Sequence, residues 1–403
     1  MVSKENVCQA LILMALLSFG FIGSLSHLFN LALICVFLSQ YQHFRALSQI
    51  EQRAKIIFLA LTGVFFIFLI RSMFNQDFIR SFISLSPMFP IPLIGLLILF
   101  QKNSTLRLST ASLAFFSKLS IFTSFLVFLI ISQKLGQYYR LELFSGNPIP
   151  FSIAVFGISI FSLCNWVNSN KRQKIIAVLF LLLGIYISGF LSGARGTLLS
   201  IIISAPFLFW FIARSYIATI ALTSGMIISI ILIWYLNNLN YFEMSYFRKI
   251  ISGVETILSY NNLDRSIHLK LKMWEAAVET IKNAAFFGHD ISNRFMAIVP
   301  NLPNGFSHKF SHPHNDILAS IIGTGFIGGV LSIFCISSPL LAAYLSTEDR
   351  PIKFCLAVPL VINIFCSANV NTVFFNDISS AWLAFSTFLI WNIRTTSESN
   401  NCP

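Results

Sequence analysis

Two short stretches of this sequence place ionisable side chains and glycines beside long apolar runs. One is SHPHNDILASIIGTGFIGG, from Ser311 to Gly329, and the other is SGARGTLLS, from Ser192 to Ser200. A neutral imidazole accepts a proton from a hydroxyl, and the planar fork of an arginine suits the oxygens of a phosphate group. These residues would suit a charged headgroup whose lipid tail lies in a bilayer.

The histidine stretch has the pattern of a helix start. Pro313 fits the first helical position, with the cap just before it. That placement predicts His314, Asn315 and Asp316 in the first turn, where free N–H groups and the helix dipole attract anions and disfavour an imidazolium. We therefore expect a neutral His314, held by Asn315 and Asp316. The alternative is a capping segment with an interfacial histidine.

Arg195 lies in a tight turn of Gly and Ser residues between two apolar runs. The small neighbours leave the guanidinium room to reach a ligand, whereas a topological anchor would not need them. Three further arginines, Arg71, Arg80 and Arg140, fall on the same side of the predicted membrane domain. A snorkelling side chain at a helix end is the alternative interpretation for Arg71 and Arg80.

Composition identifies the elements that must position these residues. Only 10% of the 403 residues are charged, 56% are hydrophobic, and the mean hydropathy is +0.77. A soluble domain carries about 25% charged residues. Apolar runs of about 17–25 residues recur along the chain, and each is long enough to cross a bilayer as a helix. We predict an all-α polytopic membrane protein with about twelve spans.

The Lys and Arg residues set the predicted orientation. They lie in short loops between apolar runs, so we attribute the net charge of +12 to the positive-inside rule rather than to a nucleic-acid partner. The prediction is a membrane domain over 1–236 with helices 1–9, a periplasmic loop over 237–313 with short helices, and helices 10–12 over 314–403. The run Ser26–Ser39 is short for a span, and Ile317–Leu345 is long enough to tilt or break.

The seven cysteines lie almost entirely inside apolar runs and show no paired spacing. They indicate neither a disulfide framework nor a zinc site. The prediction is therefore a protein without a structural metal.

The sequence resembles the O-antigen ligase/O-antigen polymerase superfamily of bacterial inner-membrane glycosyltransferases. SGARGTLLS is similar to the family's Ser-(Gly)-x-Arg-Gly turn, which puts Arg195 in the place of a diphosphate-binding arginine. His314-Asn315, followed by nine residues and then Gly325-x-x-Gly328, resembles the ligase signature over its full length.

A third stretch, KLKMWEAAVETIKNAAFFGHD, is similar to an outer-loop element of the family. The family commonly has an arginine four residues before a tryptophan, where this chain has Lys270 before Trp274, and a Leu-Gly pair where it has Phe287-Gly288. Lysine keeps the charge but loses bidentate geometry. Arg265 and Lys272 are therefore alternative second cations.

The resemblance implies a membrane glycosyltransferase (GT-C-like) fold with one long periplasmic loop between helices 9 and 10. It implies an undecaprenyl-diphosphate-linked glycan as donor, with no cofactor and no metal requirement. His314 and Arg195 would be catalytic, and Lys270, Arg265, Lys272, Asn315 and Asp316 would bind substrate. Arg140, at the start of a stretch faintly similar to another outer-loop element, is a further substrate-binding candidate.

Several acceptors remain open at this point. The complete histidine signature favours a ligase with lipid A–core oligosaccharide as acceptor. A polymerase would use a second lipid-linked glycan, and a protein O-oligosaccharyltransferase would use a protein. A transporter of lipid-linked sugar should show internal repeats and ionisable residues near the bilayer midplane. Here the charges gather at the outer face, and Lys118 alone lies well inside a predicted span.

Overall fold

The structure is a computed structural model that describes residues 4–19, 51–75, 77–100, 108–135, 147–238, 264–284, 286–289, 291–303 and 312–394. Its first helices are α1 Lys4–Phe19, α2 Gln52–Met73, α3 Phe78–Ser84, α4 Pro90–Phe100, α5 Thr110–Leu135, α6 Pro148–Phe161 and α7 Lys171–Ile185. There follow α8 Arg195–Ala213, α9 Tyr216–Asn238, α10 Arg265–Ala284, α11 Asp316–Ile336, α12 Ser338–Leu345, α13 Arg350–Val370 and α14 Asp377–Asn392.

Several short elements connect these helices. A π-helical turn, Tyr186–Leu191, continues α7, and 3₁₀ turns lie at Ser86–Met88 and Val299–Asn301. Two short strands, β1 Leu108–Ser109 and β2 Ile393–Arg394, pair in parallel. The all-α prediction is thus confirmed for the described part of the chain.

Among the described residues, six helices are long and apolar enough to cross a membrane. They are α2, α8, α11, α13, the first 21 residues of α5 and the 21 residues of α7 with its π-helical turn. A pair of helices bent by 41°, Phe78–Ser84 with Ser86–Phe100, is a seventh candidate, and α1, α6 and the start of α9 supply shorter apolar helices. The total of about twelve spans stays a prediction, and its run Ser26–Ser39 lies outside the described residues.

The centre of the membrane domain is built around α14, which is buried along almost its whole length. The indole of Trp382 is fully buried and packs edge-on against Phe19 and Phe161, with ring centroids 5.3 and 6.2 Å apart. Gly157 makes this possible, because an added Cβ there would lie 2.4 Å from the indole. Lipid tails are as apolar as the side chains, so membrane helices associate largely through close packing. Small residues permit that close approach.

A buried polar network joins α6, α8 and α13. The hydroxyls of Ser152 and Thr197 lie 2.7 Å apart, and Ser200 donates to the Asn363 side-chain oxygen at 3.0 Å. Asn363 in turn donates to the Ile153 carbonyl at 2.9 Å. Hydrogen bonds between membrane helices contribute about 0.6 kcal/mol each on average. This network fixes the first turns of α8 against α13.

The helix α11 is broken in its middle, as the long predicted run suggested. Thr324 and Gly325 leave helical geometry, and Gly325 has a φ of 76°. The freed carbonyl of Ile322 accepts the His289 backbone N–H at 2.6 Å, so residues 286–289 are inserted at the break. Gly288, with a φ of 64°, lies so close that an added Cβ would be 2.6 Å from the Gly323 backbone. Irregular backbone at membrane depth requires such partners.

The amphipathic helix α10 lies within the segment 237–313, for which the sequence predicts short helices. Its inner face, which includes Met273, Ala276 and Ala277, packs with Ile322 of α11 in a separate small core. The insertion at the helix break and this core together attach the segment before α11 to the membrane helices. The periplasmic position of 237–313 stays a prediction.

We predict that Gly325→Ala destabilises the protein by at least about 2 kcal/mol, because a side chain at positive φ is strained and must displace backbone. An added Cβ would lie 2.0 Å from the Phe286 carbonyl oxygen. Thermal unfolding in detergent, followed by size-exclusion chromatography, measures the effect. The matched control is Gly225→Ala in α9, where a new methyl group would meet nothing within 4 Å. Equal midpoints for the two variants would contradict the tight insertion.

Candidate functional site

Four segments meet at one end of the membrane helices: the start of α8, α10, the residues before α11, and the end of α13. Gly196 packs so closely on the end of α13 that an added Cβ would lie 2.5 Å from a Val370 methyl group. On the other side, Lys270 Nζ donates to the Val370 carbonyl at 2.8 Å. The end of α13 therefore contacts both the first turn of α8 and the helix α10.

Arg195 is the first residue of α8 and follows the π-helical turn. Gly193, at a φ of 67°, reverses the chain, and Ala194 occupies the N-cap without a side-chain hydrogen bond. The guanidinium Nη1 lies 2.7 Å from Asp264 Oδ2, and the arginine side chain is 33% exposed. A guanidinium carries five N–H donors, so this ion pair leaves donors for another group rich in oxygen.

Asp264 was not predicted from the sequence as part of the site. Its Oδ1 accepts the Ile267 N–H at 3.1 Å and caps α10, while Oδ2 holds Arg195. An aspartate before a helical pattern is a recognisable N-cap signal. Its ion pair with Arg195 joins two distant parts of the chain, and no local sequence pattern predicts that contact.

Of the three cations predicted on α10, Lys270 faces the histidines. Its charge contributes to lowering the pKa of both His312 and His314. Lys272 is two residues further along, about 200° around the helix, and pairs with Glu275 at 3.0 Å. Arg265 is exposed in the first turn beside Asp264. The geometry therefore favours Lys270 as the second cation.

The predicted start of the histidine helix was wrong by three residues. Asn315 is the N-cap, its side-chain oxygen accepts the Leu318 N–H at 3.0 Å, and α11 begins at Asp316. His314 precedes the cap with a φ of 52°, in the left-handed region. The physical reason is that an asparagine side chain caps a helix well, which outweighs the preference of Pro313 for the first position. Histidine is among the residues that tolerate this conformation.

His312 and His314 are adjacent, with His312 Nε2 and His314 Nδ1 3.2 Å apart. Burial lowers the pKa of His314 to about 4, helped by the charge of Lys270 and opposed by a hydrogen bond with the Asn371 side chain. Burial also lowers the pKa of His312 to about 3, together with the charges of His314, Arg294 and Lys270. Both imidazoles are therefore neutral at neutral pH. The main cause is burial and not the helix dipole, because both histidines precede α11.

Asp316 does not face the site as a substrate ligand. It is fully buried, and its Oδ2 accepts the backbone N–H of Val373 and, at 3.1 Å, that of Phe374. Asn315 Nδ2 donates to Asn369 at 3.2 Å. Asn315 therefore attaches the start of α11 to the last turn of α13, and Asp316 attaches it to the following segment, which carries Asn371. Asn371, a polar residue that follows an apolar run, was not predicted from the sequence as part of the site.

Two further arginines support the site from outside it. Arg294 lies over the Phe375 ring, 3.8 Å from its centroid, and donates to the Ile291 carbonyl at 2.5 Å. Arg71, at the end of α2, donates to the Gly288 carbonyl at 3.3 Å. Arg71 thus holds the segment inserted at the break of α11, which is more than a snorkelling contact.

The substrate-binding role of Arg140 and the metal independence both stay predictions. Arg140 lies outside the described residues. Within the described ranges, no group of three or more His, Cys, Asp or Glu side chains is placed to hold a metal ion. The arrangement at the site is instead cationic, with a neutral histidine pair beside it.

Comparison with known proteins addresses the part of the chain that holds this arrangement. The sequence model of a family described as O-antigen ligase matches residues 177–333, which include Arg195, Lys270 and His314. An uncharacterized protein of Haemophilus influenzae strain Rd is 26% identical over 332 residues, covering 79% of this chain and 80% of its own length. Residues 177–333 are therefore similar to the O-antigen ligase family, which agrees with the resemblance of the two motifs.

Proposed function

We propose that this protein is an O-antigen ligase. It transfers glycan from undecaprenyl diphosphate to a hydroxyl of lipid A–core oligosaccharide, on the periplasmic side of the inner membrane. The observation that carries the proposal is the meeting of Arg195, Lys270 and a neutral His314 around the end of α13. The family match over 177–333 supports it.

The two cations act on the donor. Arg195 offers free N–H donors beyond the one engaged by Asp264, and Lys270 supplies a point charge on the histidine side. Together they bind the diphosphate and stabilise the charge that it gains as leaving group, which is the largest single contribution in many enzymes. Asp264 keeps the guanidinium in place between turnovers.

His314 acts on the acceptor. The neutral imidazole orients the acceptor hydroxyl or takes its proton, while the hydroxyl oxygen bonds to the anomeric carbon. The bond from that carbon to the diphosphate oxygen breaks, and the electron pair leaves with undecaprenyl diphosphate. Asn371 and His312 position the His314 ring.

The main alternative is an O-antigen polymerase, which uses the same donor chemistry with a second lipid-linked glycan as acceptor. The His-Asn-x9-Gly-x-x-Gly pattern favours the ligase. A protein O-oligosaccharyltransferase shares the site chemistry and differs in the acceptor. A lipid-linked sugar transporter needs no neutral base beside a cationic cluster, which makes it the weakest candidate.

Arg195→Lys should impair glycan transfer although it keeps the charge, because the planar fork is lost, and Arg195→Ala should impair it more. Each variant is expressed in a strain lacking the native gene, and its lipopolysaccharide ladder and lipid-linked glycans are measured. A lost ladder with long lipid-linked polymer is expected for the ligase. Core with a single O-unit would instead identify a polymerase. Arg80→Ala, an exposed arginine on α3, is the matched control, and a normal ladder from Arg195→Ala at native expression would remove Arg195 from the mechanism.

His314→Ala should reduce the transfer rate by about 10²–10⁴-fold, which is typical of losing a general base, while donor binding survives. His312→Ala should cost less, because it acts through the His314 ring. The measurement uses purified protein, lipid-linked donor and acceptor, with EDTA present to test the expected metal independence. An active His314→Ala beside an inactive His312→Ala would mean that the other histidine is the base.

The pH dependence of kcat/KM for the donor should follow the His314 pKa in the free enzyme. Because that pKa is lowered to about 4, activity stays level from about pH 8 to 5 and falls as the imidazole gains a proton near pH 4. Lys270→Gln removes one cause of the lowering and moves this fall to higher pH, although burial, the larger cause, remains. Lys272→Gln should leave the profile unchanged. A wild-type fall centred at the ordinary 6.5 would contradict a buried base.

A further inference from the structure

An open cavity lies at the opposite end of α7 from Arg195. It has a volume of about 480 Å³ and is lined by Trp166, Lys171, Lys174, Ile175, Val178 and Leu179. The helix α7 begins at Lys171 and runs through the π-helical turn toward Arg195. The whole stretch Lys171–Leu191 is a candidate span. The cavity therefore lies at the membrane–water boundary and is separate from the glycan site.

The upper rim of the cavity is cationic. Lys171 and Lys174 are three positions apart on α7 and share one face. Lys174 Nζ lies 5.5 Å from the centre of the Trp166 ring, which holds the ammonium over the cavity mouth. Within the described ranges, neither lysine forms an ion pair with a carboxylate. The start of α7 is already capped by Asn170. The ammonium groups of the two lysines are therefore the groups that would bind a ligand.

The lower wall of the cavity is apolar and faces outward. Ile175 and Leu179, one turn apart, have 53% and 58% of their surface exposed, although they belong to a candidate span. Such exposure in a membrane helix means contact with lipid chains. A ligand of this cavity therefore has a negative group at the boundary and a hydrocarbon chain directly below it.

We propose that this cavity binds an anionic phospholipid. The phosphate-bearing headgroup lies between Lys171 and Lys174 beside the indole of Trp166, and an acyl chain follows Ile175 and Leu179 into the bilayer. A zwitterionic lipid carries an ammonium group that meets the lysines with like charge, so an anionic headgroup is preferred. The apolar wall distinguishes a lipid from a free phosphate, which would use the rim alone.

The test uses full-length protein, stripped of lipid in a neutral detergent and titrated with phosphatidylglycerol or phosphatidylcholine of the same acyl chains. Native mass spectrometry counts the bound lipids. We expect preferential binding of phosphatidylglycerol. Lys171→Gln and Lys174→Gln should each weaken it about fivefold, from about 1 kcal/mol per cation near a membrane surface. Equal retention of both lipids by the wild type would overturn the proposal.

Arg172→Gln is the matched control, because Arg172 lies in the same turn with the same charge but does not line the cavity. A loss equal to that of Lys174→Gln would mean diffuse surface charge and would also overturn the proposal. Inorganic phosphate in millimolar excess should not displace the lipid; full displacement would assign the rim to free phosphate. Unchanged thermal midpoints without lipid show that the variants are folded, and Arg195-dependent transfer provides a separate readout at the other end of the span.

Discussion

The arrangement of the site depends on the hydrogen bonds that the buried side chain of Asp316 accepts. It lies at the first position of α11, is fully buried, and accepts the backbone N–H groups of Val373 and Phe374. A buried carboxylate without partners would be very costly, so these hydrogen bonds hold the segment after α13 in one place. That segment carries Asn371, which forms a hydrogen bond with His314. It follows Val370, whose carbonyl accepts from Lys270 and whose side chain packs on Gly196. Asp316, predicted to hold His314 or to bind substrate, thus fixes the backbone to which the functional side chains attach.

The break in α11 supplies the second constraint. In a continuous helix, the Ile322 carbonyl would accept a hydrogen bond from the next turn. At the break it accepts the His289 N–H instead, and Arg71 donates to the neighbouring Gly288 carbonyl. These contacts fix the end of the segment that carries α10, while the small core around Met273 fixes its middle. Lys270 lies on that helix and Asp264 caps it, so their distances from His314 and Arg195 depend on the backbone contacts at the break of α11. Gly325 and Gly288 are thus needed for close packing between the two stretches that hold them.

Hydropathy and short motifs predicted much of this protein from its sequence. The apolar runs indicated membrane helices, the long run Ile317–Leu345 contains a broken helix, and the helix α10 lies in the segment predicted to hold short helices. The start of α11 was misplaced because the local preference of Pro313 competes with asparagine capping, and single-sequence patterns do not rank the two. Asp264 and Asn371 were missed because their partners, Arg195 and His314, lie far away in the chain. Burial, the main cause of the lowered His314 pKa, is likewise a property of the assembled helices.

The charges of the site give the proposed reaction an order of events. The charge of Lys270 contributes to lowering the His314 pKa, so the imidazole is neutral but a weak base. A diphosphate bound by Lys270 and Arg195 brings negative charge to the same place, and an opposite charge favours the protonated imidazole. Donor binding therefore raises the basicity of His314 at the moment when an acceptor hydroxyl must lose its proton. After transfer, the proton on His314 faces the anionic undecaprenyl diphosphate, and Asp264 competes with that product for Arg195. The Arg195–Asp264 ion pair thus favours product release in the proposed reaction, and the same cations that hold the leaving group also determine when the base is active.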